Sequence, residues 1–266
     1  MSGLGTSCEA RPCRDLVAKD GADTCVVIAA GGKGTRLGGK QYKQFISICG
    51  LPMMSWALIA FDHAPSVGHI VIVCADDRVD EIAQTVVAPV SLSTPVSFAT
   101  SGSTRQESCL SGLNAAPAQY RFVAFHDAAR PLITVEAIEK VIAAVRTDED
   151  IDGAIAATPA IDTIKLVEDE VIVATPDRSA YWTVQTPQVF RREAIAAAHE
   201  QALLTGFVGT DDASLVEMNG GCVRCVDTQR DNLKVTVPED LIIAEAILEH
   251  RLVIAGYGPC DDEEEA

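Results

Sequence analysis

The chain has 266 residues, a formal net charge of −17, and 48% hydrophobic against 22% charged residues. A chain of this size and make-up can bury the core of one large globular domain, and its acidic balance argues against nucleic acid as a partner. No apolar run approaches the roughly 20 residues needed to cross a membrane.

Residues 1–23 are polar and irregular, with Gly3, Gly5 and Pro12 among the acids Glu9, Asp15 and Asp20. They have neither the apolar core of a secretory signal nor the acid-poor composition of a transit peptide, and we expect a disordered extension. From residue 24 onward strand and helix signals alternate. Short unbroken apolar runs predict strands over 24–30, 69–75, 96–100, 121–126, 153–157 and 221–227. Helices are predicted over 52–63, 77–87, 104–115, 135–146, 192–204 and 238–251. Asp76 and Thr134 stand where N-caps belong, and Pro238 suits a first helical turn. The order predicts an α/β fold with a doubly wound, mostly parallel sheet, a single domain over 24–252.

Residues 159–188 break the rhythm, alternating around Ile161, Ile164 and Leu166 and again at Val171-Ile172-Val173, with Glu168-Asp169-Glu170 turning a hairpin between them. A two-stranded excursion cannot bury itself alone, so 159–178 is expected to be a protruding β-arm that pairs subunits, covers substrate, or both. The plainer alternative is an edge ribbon of the main sheet. The tail, 253–266, ends in Asp261-Asp262-Glu263-Glu264-Glu265, which repels itself and is expected to be disordered. The nine cysteines are an odd number, and Cys25, Cys49, Cys74 and Cys109 fall singly in what read as strands and helices. We read them as reduced thiols of a cytoplasmic protein. Cys222 and Cys225 have metal or redox spacing, but strand alternation separates their faces and no second pair accompanies them. Core packing is the expectation for both.

Two stretches carry the chemistry. Ala29-Ala30-Gly31-Gly32-Lys33-Gly34-Thr35-Arg36-Leu37 follows the first strand and precedes Lys40 and Lys43. Glycines let backbone N–H groups close on phosphate oxygens, and the cations neutralise the remaining charge. It is not a P-loop, since no Lys-Ser or Lys-Thr follows the glycines, nor a dinucleotide turn opening directly into a helix. The second stretch, His126-Asp127-Ala128-Ala129-Arg130-Pro131, puts a carboxylate just past a strand end, where open α/β sheets bind ligands. Asp127 suits a hard divalent cation on nucleotide phosphates; its alternative role is a helix N-cap.

Gly31 to Leu37 resembles the GGxGTRL signature of nucleotidyltransferases. Adding His126 to Pro131, Asp162-Thr163-Ile164-Lys165, Arg178, Gln185-Thr186-Pro187-Gln188, Thr210-Asp211 and Asp231-Asn232-Leu233-Lys234-Val235-Thr236, the chain over about 24–250 resembles the 2-C-methyl-D-erythritol 4-phosphate cytidylyltransferase family of the non-mevalonate isoprenoid pathway. The resemblance implies a Rossmann-like homodimer, joined through the arm, that moves CMP from CTP onto the acceptor phosphate with Mg²⁺ (or Mn²⁺). It implies Arg36, Lys43 and Lys234 as the catalytic cations and Asp127 as the metal ligand. CTP would meet Ala29, Ala30, Gly31, Gly32, Gly34, Thr35, Gly102, Ser103, Arg105, Ser108 and Ala128. The acceptor would meet Thr163 and Arg178 from the partner's arm, with Thr186, Thr210, Asp211 and Asp231 lining the pocket; Asp231 is also a candidate helper at the metal, and Asp211 equally a helix cap. Two other readings stay open at this point: a cytidylyltransferase for another polyol phosphate such as ribitol 5-phosphate, and a non-catalytic nucleotide-binding scaffold.

Overall fold

Thr24, Cys25, Val26, Val27 and Ile28 are all fully buried, because β1 (Thr24–Ala29) runs between two parallel neighbours and is covered on both faces. The computed structural model describes residues 19–32 and 45–257. Of the segments expected to be disordered, 1–23 and 253–266, residues 1–18 and 258–266 lie outside the described residues, as do Lys33, Gly34, Thr35, Arg36, Lys40 and Lys43, whereas Asp23 pairs with Arg146 at 2.6 Å and the last helix runs on to Ile254.

After β1 come the two-residue pair β2 (Ser47–Ile48) and β3 (Leu51–Pro52), α1 (Met53–His63), β4 (Val67–Cys74), α2 (Val79–Ile82), β5 (Val96–Thr100) and α3 (Arg105–Ala115). Then follow β6 (Phe122–Asp127), α4 (Val135–Thr147), β7 (Gly153–Pro159), the hairpin β8 (Leu166–Glu168) and β9 (Val171–Ala174), and β10 (Trp182–Arg191). The chain closes with α5 (Arg192–Thr205), α6 (Asp212–Met218), β11 (Val223–Asp227) and α7 (Pro238–Ile254). The main sheet has seven strands in the order β11-β7-β10-β6-β1-β4-β5, parallel throughout except for β10.

Strand alternation divides the core. Val26, Ile28, Ile70, Ile72 and Ala124 face α1 and α4, while Cys25, Val27, Val71, Val73 and Phe125 face α3, α5 and α6. A third cluster, with Ile48, Met53, Leu132, Val235, Ala244 and Leu248, seats α7 against β2 and the start of α1.

Several expectations are corrected. β10 is a ten-residue central strand over residues for which no strand was predicted. Pro187 cannot donate to a ladder, and the pairing with β7 jumps between Val184 and Gln188 at that point, so an irregularity accommodates it. The helix expected over 77–87 is irregular, with α2 flanked by other helical turns between Asp76 and Val90; β-branched Thr85, Val86 and Val87 followed by Pro89 oppose a regular helix. Asp76 is not a cap: Ala75 holds that position and Asp76 Oδ1 accepts from Thr100 Oγ1 at 2.5 Å. Cys49 lies in the β2–β3 turn, not in an element. Cys222 and Cys225 are exposed on the edge strand's side of the sheet and pack in no core. The arm hairpin is a separate two-stranded sheet and not an edge ribbon. Thr134 does cap α4, accepting from Ala137 N at 3.3 Å.

Candidate active site

From β1 the chain winds outward through β4 to β5, then returns to place β6 on the other side of β1. Connections diverging from that point leave a crevice beyond the carboxyl ends of β1 and β6, where the register sets Ala29 beside Asp127. Asp127 is the last residue of β6, not a residue beyond it, and its side chain is buried.

Three cations close on that carboxylate. Lys234 Nζ lies 2.9 Å from Oδ2, Arg130 Nε 3.6 Å from Oδ2, and Arg105 Nε 3.5 Å from Oδ1. Burial alone would raise the Asp127 pKa; Lys234, then Arg105 and Arg130, more than offset it and hold the carboxyl well below the usual range. Helix α4, the next in the chain, is capped by Thr134, so Asp127 caps no helix.

Each cation is delivered by local structure. Thr104 and Glu107 form a capping box, which begins α3 at Arg105. Lys234 sits in a segment laid along the turn after β6: Val235 N donates to Ala129 O at 2.8 Å and Arg130 Nη1 to Asn232 O at 2.7 Å. Asn232, wholly buried, donates from Nδ2 to Gln185 Oε1 at 3.1 Å and Thr186 O at 2.8 Å, tying the segment to β10. Arg105 also pairs with buried Asp212, Nη2 to Oδ2 at 2.8 Å. His126, fully buried, is pushed down to about 4, burial being the main cause, and is neutral at physiological pH.

The groups expected around the base also converge. Ser101 N donates to Cys74 O at 2.8 Å, and Ala30 N to Val73 O at 2.9 Å, bringing the loop after β5 beside the end of β1. A Cβ on Gly31 would stand 2.7 Å from Ser101 Cβ, and one on Gly102 2.3 Å from Glu107 Cβ, so both places admit only glycine. Gly102 N donates to Ser108 Oγ at 3.1 Å, and Ser103 donates from N and Oγ to Glu107 Oε2 at 2.7 and 2.6 Å. Ala128 N donates to Ala29 O at 3.3 Å, while Gly32 is open to solvent. Gly34, Thr35, Arg36 and Lys43 lie outside the described residues.

The acceptor side is gathered less fully. Thr163 and Arg178 are exposed on the arm, Arg178 Nη1 donating to Ile161 O at 2.5 Å, and Thr210 is exposed before α6. Three residues have other work. Thr186 is buried, and its Oγ1 meets Asp127 N at 3.1 Å and His126 Nδ1 at 3.0 Å, so its hydroxyl supports Asp127 from behind. Asp211 caps α6: Oδ1 accepts from Ser214 N at 2.9 Å and Oδ2 from Gln188 Nε2 at 2.8 Å, leaving the carboxylate occupied. Asp231 Oδ2 takes Arg251 Nη2 of α7 at 2.7 Å. Arg130, Asp212, Gln188 and Asn232 were missed as site residues. Arg130 had a visible signal, standing three residues after Asp127 in the same motif; Asp212 was masked by its neighbour Asp211.

Asp127 supplies one hard oxygen donor beside cations suited to phosphates, and no group of three His, Cys, Asp or Glu among the described residues forms a cage of protein ligands. That suits Mg²⁺, which commonly takes one or two carboxylates and completes its shell with phosphates and water.

The sequence model for 2-C-methyl-D-erythritol 4-phosphate cytidylyltransferase matches residues 24–250. The chain is 39% identical over 229 residues to the enzyme of that name from Geobacter metallireducens, covering 85% of this chain and 97% of the relative. It is 42% identical over 225 residues to that from Symbiobacterium thermophilum, covering 84% and 92%. Among solved structures, 4-diphosphocytidyl-2C-methyl-D-erythritol synthase from Anaerococcus prevotii superposes with a TM-score of 0.75 at 29% identity, over 86% of this chain and 99% of that one. The cytidylyltransferase from Thermus thermophilus gives 0.67 at 30% identity, over 84% and 97%.

Proposed function

The chain belongs to the 2-C-methyl-D-erythritol 4-phosphate cytidylyltransferase family, and we propose that the cluster around Asp127 is where it carries out that reaction. The enzyme transfers CMP from CTP to 2-C-methyl-D-erythritol 4-phosphate, releasing pyrophosphate and 4-diphosphocytidyl-2-C-methyl-D-erythritol for isoprenoid synthesis. The observation that carries the site is a buried carboxylate held by Lys234, Arg105 and Arg130 at the switch point of the sheet.

The acceptor phosphate attacks the α-phosphate of CTP in line, and pyrophosphate leaves without a covalent enzyme intermediate. Two anions must approach each other, and a unit-charge pair about 4 Å apart interacts by roughly 4 kcal/mol at an effective dielectric near 20. Arg36, Lys43 and Lys234 bracket the α-phosphate and take up its developing charge. Asp127 would hold Mg²⁺ (or Mn²⁺), which would supply charge neutralisation at the triphosphate. Ala29, Ala30, Gly31, Gly102, Ser103 and the Ser108 hydroxyl surround cytosine with directed main-chain and hydroxyl groups, a pocket too small for purines. Gly32, Gly34, Thr35, Arg105 and Ala128 face ribose and triphosphate. Thr163 and Arg178 hold the acceptor's phosphate from a partner subunit's arm, with Thr210 beside them. The exposed apolar residues of the arm support a homodimer, and the unpaired thiols Cys25, Cys74 and Cys109 support a cytoplasmic setting.

Pyrophosphate release with CTP tests the reading. 2-C-methyl-D-erythritol 4-phosphate is expected to be the preferred acceptor over ribitol 5-phosphate, and Lys43→Ala and Lys234→Ala are expected to lower kcat by 100-fold or more, on the order of losing one preorganised charge. Asp127→Asn is expected to raise the Mg²⁺ requirement or abolish turnover, and chelation by EDTA to stop it. Wild-type kcat in all three variants would refute the site.

A further inference from the structure

Asp212 opens α6 and is 1% exposed, yet no step above uses it. Its Oδ2 takes Arg105 Nη2 at 2.8 Å and lies 3.8 Å from Cys109 Sγ, while Oδ1 has no hydrogen-bond partner among the described residues. The backbone carrying it is fixed by Gln188 of β10, whose Oε1 accepts from Asp212 N at 3.1 Å and Ala213 N at 3.2 Å. Strand β10, helix α6 and the start of α3 thus meet at one guanidinium.

On its other side that guanidinium faces Asp127, and there the contact is loose: Nε to Oδ1 is 3.5 Å, against about 2.7–2.9 Å for a charge-assisted hydrogen bond. A guanidinium free to turn beside a carboxylate closes on it with two parallel N–H bonds. Asp212 prevents this by engaging Nη2. Nη1 then has no partner among the described residues, and the Arg105 side chain stays 32% exposed at the crevice.

We propose that Asp212 is a positioning residue that divides Arg105 between two carboxylates. Oδ1 of Asp127 is left without a close cation contact, its Oδ2 being held by Lys234 at 2.9 Å, and one edge of Arg105 is left for a triphosphate oxygen. The proposal rests on Arg105 being a CTP-binding residue, and the test separates the two.

Asp212→Asn removes the charge at nearly constant shape. It is expected to lower kcat/KM for CTP by about tenfold to a hundredfold, the scale of a misplaced positioning group, mainly through KM for CTP, with KM for the acceptor unchanged. In an Arg105→Met background the same substitution is expected to have no further effect, since Asp212 acts only through Arg105. Losses that multiply in the double variant, or an equal rise in both KM values, would mark Asp212 as merely structural and overturn the proposal. So would wild-type kinetics in Asp212→Asn while Arg105→Met is impaired. Wild-type kinetics in Arg105→Met would instead overturn the role of Arg105 itself. If thermal melting shows Asp212→Asn unfolded, Asp212→Glu keeps the charge but pushes Arg105 out of place. It is expected to give the same CTP-selective loss, and a folded Asp212→Glu with normal KM for CTP would sink the idea.

Discussion

The hydroxyl of Thr186 lies between Asp127 N and His126 Nδ1, and the other ring nitrogen of His126 lies 3.2 Å from Arg130 O. A carbonyl only accepts, so Nε2 carries the imidazole proton; Nδ1 then accepts from the Thr186 hydroxyl, which in turn accepts from Asp127 N–H. One neutral chain of bonds therefore sets both the carboxylate and the carbonyl of the arginine beside it. Thr186→Val would leave a buried N–H and a ring nitrogen unpaired, at about 1–3 kcal/mol for each such group. We expect a lower Tm and a fall in kcat, both restored by Thr186→Ser, with urea unfolding and steady-state kinetics as the checks. A second buried histidine sets a pH dependence. His199 packs 6.5 Å from Phe125, its Nε2 has no partner among the described residues, and burial lowers its pKa from the usual 6.5. Below that value the unfolded chain binds a proton that the folded one refuses, so stability falls as pH drops. His199→Leu should flatten the Tm–pH curve below about 6.5. It should not abolish the slope, because burial lowers His69 and His126 as well.

The elements differ in how plainly the sequence announces them. β1, β4 and β6 contain the apolar runs 25–29, 70–74 and 122–125 because both faces are covered, and β5 was placed to the residue. β10 is as central, but Thr183, Gln185, Thr186 and Gln188 point into polar contacts with Thr158, Asn232, His126 and Asp211, so its alternation is not hydrophobic. Helix α6 spans seven residues, too few to show a period. The Asp127 cluster was half legible: Asp127 and Lys234 carry a recognisable pattern, whereas Asp211, Asp231 and Thr186 have carboxylates or a hydroxyl already engaged by partners that only the fold supplies. The hairpin β8–β9 was legible from Glu168-Asp169-Glu170, where Asp169 and Glu170 take φ of 46° and 65°. Ile161, Leu166, Val167, Val171, Ile172 and Val173 on and beside it are between 49% and 64% exposed, which is unusual for six neighbouring apolar side chains. If a second subunit covers them, Ile172→Asp should shift the protein to monomer in sedimentation velocity while its Tm stays within about 1–2 °C, since exposed sites away from special features contribute little to protomer stability. A persisting dimer would show that the arm is not the interface.

At the scale of the whole molecule, a net charge of −17 works against binding CTP and a second phosphate, so the site must concentrate cations locally. Within one chain, Arg105, Arg130 and Lys234 are already drawn to Asp127, and Arg178 stands on an exposed arm. A site built across two subunits would bring Arg178 to the acceptor without placing another cation in the protomer's own core. Mixing subunits tests this arrangement. On the proposed reading, Lys43→Ala removes a cation from the nucleotide side and Arg178→Ala one from the acceptor side, so each variant alone should be nearly inactive. If the arm crosses to its partner, each heterodimer holds one site with both lesions and one with neither, and activity should rise well above both parents. If the arm serves its own subunit, every site keeps one lesion and mixing restores nothing. Exchange after brief denaturation, with heterodimers isolated by two distinct tags, makes the outcome readable. Heterodimers no more active than their parents would refute the shared site even if the protein proved dimeric.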